Sequence, residues 1–393
     1  MIFKNLRYRA MGRDFFRDIE SLVSEFFETI ADVTVGTAET LRDGSEYEPV
    51  KLPADLAAHR KAQTEWWYYT GHCKTESEKE FGFELVFFKR RTDIDKFGPV
   101  PLRLIGNPIY FAHFAITDLH NKRFRYAHRK SANNLLDFPA SASEKHFFVK
   151  IGDWSIRESP DGHILRASME NTSFEATLTP LKPAILNGKN KDGVSFKDEG
   201  EASRYFSYTR MKVEGFLSEN DKVEKFVGSA WMDREFGTWA PTEKQKGWDW
   251  FSIQLDNNCE LMCYQLRDSN NQVSEFSCGT YVNEKGESFF LSNEDFKIET
   301  LDFWKSPHTN AVYPCKWQIK VDSFDIDLVI TPFLKDQELD TRGTTMIVYW
   351  EGACKVEGSP SNGKAYVELV GYDRSHESPN LAYFLMGNEF VKN

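Results

Sequence analysis

Nowhere in its 393 residues does the chain run to roughly 20 consecutive apolar positions, so no segment is predicted to cross a membrane as a helix. Basic runs are missing too. With a net charge of −11 the sequence offers no cationic face, and nucleic acid is not an expected partner. The first residues hold no apolar core followed by a small-residue cleavage site, so secretion is not indicated. Cysteine is sparse. The six residues (Cys73, Cys259, Cys263, Cys278, Cys315 and Cys354) include no C-x-x-C pair and no histidine at zinc spacing. Reduced, buried thiols in a cytoplasmic protein without a metal site are the expectation. A G-x-S-x-G elbow, a P-loop and a dinucleotide fingerprint are also lacking, so neither a serine nucleophile nor any cofactor is expected.

Aromatic residues, in contrast, make up 15% of the chain, an excess that suits pleated strands and ring-walled pockets. One aromatic stretch organises the rest because it occurs twice. Glu65-Trp66-Trp67-Tyr68-Tyr69-Thr70-Gly71-His72 returns as Gly247-Trp248-Asp249-Trp250-Phe251-Ser252-Ile253-Gln254. Each copy is followed by a turn and a second apolar run ending in arginine, Phe83 to Arg91 and then Cys259 to Arg267. Thr179-Pro180 is matched by Thr331-Pro332, and Lys212-Val213-Glu214-Gly215 by Lys355-Val356-Glu357-Gly358. A period this long is a duplicated domain, since solenoid units run to roughly 20–50 residues.

Many short strand-like segments without intervening helices predict an all-β chain of two tandem antiparallel β-barrels. The division is residues 1–60 for an N-terminal helix and connector, 61–240 for the first barrel and 241–393 for the second. Residues 91–108 and 181–204 read as long loops, which on a β scaffold are mouths or lids. From Asp14 onward Phe15, Phe16, Ile19, Leu22, Val23, Phe26, Phe27 and Ile30 recur at helical steps. This amphipathic helix is read as lying across a barrel. A peripheral membrane contact through its basic lead-in is the alternative, opposed by Glu20, Glu25 and Glu28. Oligomeric state leaves no signature in the sequence.

Several motifs fall in the order of a known family. Glu65-Trp66-Trp67-Tyr68, Gly82-Phe83-Glu84-Leu85 and Tyr110-Phe111-Ala112-His113-Phe114-Ala115-Ile116-Thr117-Asp118 open the series. Gly228-Ser229-Ala230-Trp231-Met232-Asp233-Arg234-Glu235-Phe236-Gly237, Gly247-Trp248-Asp249-Trp250-Phe251, Tyr349-Trp350-Glu351-Gly352 and Tyr366 to Tyr372 complete it. Together they resemble the carotenoid 1,2-hydratase (CrtC) and AttH-like family from about residue 60 to 373. The resemblance implies lipocalin-like barrels packed together and chemistry on terpenoid or polyketide substrates.

Adding water to an alkene needs a strong proton donor, a setting that tolerates a cation, and a placed water. A carboxylic acid kept neutral in an apolar pocket can donate, and ring faces stabilise the cation. Asp233 is the first choice of donor, because alternation sets Trp231, Asp233 and Glu235 on one face with Arg234 on the other. Glu65, on a face with Trp67 and Tyr69, and His113, in an apolar strand, are expected to place or deprotonate the water. For each, a structural role is the competing reading: an arginine network for Asp233 and Glu235, a barrel-end ion pair for Glu65, a satisfied core position for His113.

Trp66, Trp67, Trp231, Trp248 and Trp250 are candidate wall residues, and Gln254, Tyr264 and Arg267 candidate polar contacts from the second unit. Glu351 and Glu368 are weaker candidate acids. The leading expectation is a cofactor-independent hydratase of a long apolar isoprenoid or carotenoid-type alkene, with a hydrophobic small molecule as its partner. A cyclase or pericyclase of the same pocket, or a lipid or pigment carrier without turnover, are the alternatives.

Overall fold

The computed structural model describes residues 43–97, 100–132, 138–238, 245–268, 270–373 and 389–392. The helix expected from Asp14 lies outside the described residues. What is described is almost entirely antiparallel strand, in two large sheets.

The second sheet runs Ser288–Ser292, Cys278–Val282, Glu260–Asp268, Gln245–Leu255, Gly363–Val370, Val348–Ser359, Ile326–Pro332, Val312–Val321, Lys297–Lys305. The first sheet repeats this order strand for strand: Arg123–Ser131, Ile109–Asp118, Glu80–Arg90, Thr64–Thr75, Lys222–Gly237, Glu201–Glu219, Thr172–Pro180, Gly162–Met169, Trp154–Ser159. Extra strands then extend its edges, Glu389–Lys392 on one side and Phe148–Ile151 with Ala140–Ala142 on the other. Among the described residues neither pairing path returns to its start. Each sheet is a half-barrel that curls around its own core.

The duplication read from sequence is thus a duplication of strand order. One local match slips, since Phe88 pairs with Trp66 but its sequence counterpart Tyr264 pairs with Trp250. Parts of the expected loops are strands as well. Ile185–Leu186 and Val194–Asp198 hydrogen-bond to the first half of Glu201–Glu219, satisfying backbone that Thr172–Pro180 does not reach. Lys297–Lys305, a strand the composition hides, alternates weakly because it is an exposed edge.

Side-chain alternation sorts each central strand into two faces. Odd positions of Thr64–Thr75 and Glu80–Arg90 turn into the first curl. Trp67, Tyr69, Phe83, Phe87, Phe114 and Trp154 fill it, so the interior is packed rather than hollow. The second curl is filled likewise, around Phe251, Trp317 and Trp350. Even positions point the other way, where the two sheets meet. Tyr68, Val86, Tyr205, Trp231, Trp250, Met262, Tyr264 and Tyr366 form a third apolar cluster in that seam.

Candidate active site

The duplication makes the seam nearly self-complementary. Backbone register places Tyr68 opposite Asp233, and Trp250 opposite Glu368. It also places Ser207 opposite Asp233, and Glu351 opposite Glu368. Tyr68 therefore corresponds to Trp250, Asp233 to Glu368 and Ser207 to Glu351. Corresponding groups meet across the joint: the Tyr68 and Trp250 rings are edge-on at 5.3 Å. His72 Nε2 lies 3.0 Å from the Ala365 carbonyl, and its counterpart Gln254 donates Nε2 to the Ala230 carbonyl at 2.9 Å. The acids Asp233 and Glu368 thus occupy one position in two versions, each on the face its sheet turns to the seam.

Asp233 is 4% exposed and accepts three hydrogen bonds, from Tyr205 Oη at 2.7 Å, Ser207 Oγ at 2.5 Å and Trp231 Nε1 at 2.7 Å. Burial pushes its pKa up to about 7 even though these three donors pull it down, and the charge of Glu235 adds to the rise. Glu368 accepts from Trp248 Nε1 and keeps part of its surface open at the rim. Burial raises it to about 7, opposed by the Trp248 and Glu351 contacts and assisted by the charges of Asp233 and Glu235. The charge of Asp233 adds to the rise of Glu368, and with both acids near 7 a protonated donor and an ionised base are each populated at neutral pH.

The network continues through Glu351 and Glu84. Tyr68 Oη donates to Glu351 Oε1 at 2.8 Å, and Tyr349 Oη donates to Glu84 Oε1 at 3.0 Å. Burial, then mutual repulsion with Glu84 and Glu368, drives Glu351 well above the carboxylate range. Burial and the Glu368 charge raise Glu84 too. The second oxygens of Glu84 and Glu351 are buried without a hydrogen bond to a described residue. His113 joins here, its Nδ1 2.7 Å from Tyr349 Oη and its Nε2 3.5 Å from Thr344 Oγ1. Burial, with His128 beside it, holds the imidazole neutral well below its usual range. The edge of this acidic cluster is aromatic: Trp66, Phe88 and Trp248 are half-buried there.

Asp233, His113, Trp66, Trp231, Trp248 and Trp250 are therefore gathered at one seam, and Tyr264 and Gln254 border it. Tyr264 Oη lies 3.1 Å from Ser195 Oγ, and Lys197 Nζ sits 4.5 Å over its ring. Glu65 is not among them. It points into the first curl, where Arg234 and Lys89 ion-pair with it, Lys89 at 2.6 Å. Burial alone would raise Glu65, but Arg234, His59 and Lys89 hold it at about 2. Trp67 shares that face, with the Arg234 guanidinium 4.1 Å over its ring. Arg267 is absorbed by Asp249, at 3.1 Å, and by the Val370 carbonyl.

Tyr68, Glu84, Tyr205 and Tyr349 were not singled out from sequence. Following the duplication strand by strand would have matched Asp233 to Glu368 and drawn attention to their neighbours. Among the described residues no group of three or more His, Cys, Asp or Glu is arranged to hold a metal.

The sequence profile of the AttH-like family matches residues 43–372, most of the chain and both sheets. The chain belongs to the AttH-like family. The structure resembles that of an AttH protein from Nitrosomonas europaea, with a TM-score of 0.74, 28% identity, and coverage of 85% of this chain and 99% of that one. It also resembles kievitone hydratase from Nectria haematococca in fold, with a TM-score of 0.61, 16% identity, and coverage of 84% and 94%. Among curated proteins, dehydratase asqC from Emericella nidulans is 20% identical over 292 residues, spanning 66% of this AttH-like chain and 80% of that protein. No described helix of this family member is long and apolar enough to cross a membrane.

Proposed function

We propose that this AttH-like protein is a cofactor-independent hydro-lyase that moves water onto or off a carbon–carbon double bond of an apolar substrate held in the seam. The observation that carries the reading is that Asp233 and Glu368, at corresponding positions of the seam, are both raised to about 7 beside Trp66, Trp231, Trp248 and Trp250. Two relatives whose names state that they add or remove water, kievitone hydratase and dehydratase asqC, support it.

In the hydration direction neutral Asp233 protonates the alkene. The faces of Trp231, Trp250 and Trp66 stabilise the carbon cation. Ionised Glu368, nearer the rim, takes a proton from the incoming water. Tyr349 and neutral His113 hold that water. Glu65 has no part in these steps, because it faces the opposite side and stays ionised. The aromatic, apolar edge of the seam favours an isoprenoid-type alkene as the substrate class.

The test is mass spectrometry of apolar alkenes and alcohols incubated with the protein and with Asp233→Asn. A product differing by one water, lost in the variant, is expected. Cyclisation would leave the mass unchanged, and a carrier would return the ligand unmodified; either result overturns the proposal.

A further inference from the structure

The first sheet has a second opening, on the face turned away from the seam. A cavity of about 470 Å³ sits at the end of the curl, lined by four cations, Arg60, Lys61, Lys89 and Arg91, against one acid, Glu144. Pro108 and Tyr110 supply an apolar wall. Lys89 is the deep member, 6% exposed, with Nζ on Glu65 Oε1 at 2.6 Å and on the His59 carbonyl at 2.7 Å. Glu65 is shared with Arg234, and the neighbouring buried acid Asp55 is taken up by His59 at 3.1 Å and by Arg204 at 3.9 Å.

Nearer the opening, Arg91 holds Asp93 at 3.0 Å and Lys61 holds Asp43 at 2.7 Å. Arg60 is exposed and makes no hydrogen bond or ion pair to any described residue. The cavity thus has an unspent cation at its lip and, at its floor, an ammonium that shares its carboxylate with Arg234. A low-dielectric concavity lined this way concentrates anions.

We propose that this cavity is a binding site for a small organic anion, whose carboxylate or phosphate group meets Arg60 and Lys89 while its apolar body lies against Tyr110 and Pro108. It is separate from the seam and stands whether or not the hydro-lyase reading does. The same charge chemistry serves a carboxylate and a phosphate, so the probes are octanoate and inorganic phosphate. They are titrated into the full chain and into R60E/K61E, whose exposed positions leave the fold intact.

Calorimetry is expected to give a dissociation constant on the order of 0.1–1 mM for at least one probe. That binding should weaken at least about tenfold in the double variant, and fall with added salt. Tighter octanoate binding assigns a carboxylate ligand with an apolar tail; phosphate binding alone assigns a phosphate head group. No binding of either probe at about 10 mM, or binding unchanged in R60E/K61E, overturns the site.

Discussion

Replacing Asp233 by Asn tests the central electrostatic claim through stability as well as turnover. An acid whose pKa is higher in the fold than in the unfolded chain binds its proton more tightly when folded. Its contribution to stability is therefore complete below the unfolded value and is lost as pH rises through the folded one. For Asp233 that window runs from 3.8 to about 7. Each pH unit inside it removes about 1.4 kcal/mol. Asn has the same shape but cannot ionise. Between pH 5 and pH 8 the variant should therefore gain about 3 kcal/mol relative to the parent.

Part of this gain is offset at every pH, because Asn cannot accept all three bonds from Tyr205, Ser207 and Trp231; that costs about 1–3 kcal/mol. The offset cancels in the pH difference. Removing the Asp233 charge also relieves Glu368, lowering its pKa from about 7. Urea unfolding of both proteins at pH 5 and pH 8 measures the gap, and water addition or loss should drop at least about 10²-fold. Parallel stability–pH curves would show that Asp233 is an ordinary carboxylate, and the proton-donor argument would fail.

Tyr349→Phe should leave Glu84 and His113 buried without their shared partner, costing about 1–3 kcal/mol in urea unfolding and lowering kcat more than it raises KM. Glu65→Gln should destabilise the protein by about 3–5 kcal/mol by stranding Arg234 and Lys89, while the folded fraction keeps its kcat; a loss of kcat with stability intact would return Glu65 to the reaction. Trp248→Ala, at the half-open rim, should raise KM several-fold with little effect on thermal unfolding. Gly247→Ala should be destabilising by about 1–3 kcal/mol in urea unfolding, since its Cβ would come within 2.0 Å of the Val370 carbonyl on the neighbouring antiparallel strand.

The duplicated hairpins were legible because strand alternation is a local rule. Trp231, Asp233 and Glu235 had to share a face direction, and Arg234 had to oppose them, whatever the rest of the chain did. Separating Glu65 from Asp233 took the register between their two strands, which alternation does not give. Glu65 pairs across the sheet with Phe236, an even-numbered neighbour of Arg234 that faces the first curl, and so does Glu65. Which face is chamber and which is core, however, is no property of a single strand. It depends on what packs against it.

The sequence by itself determined the two-sheet β architecture, the repeat and the sidedness of the aromatic strands, because backbone pairing and alternation act between near neighbours. Only the tertiary structure decided that the curls are filled and the seam holds the acids. Joining the sheets removed water from Asp233, Glu368, Glu84 and Glu351 together. Desolvation and mutual repulsion are sums over residues far apart in the chain, so no local pattern carries them.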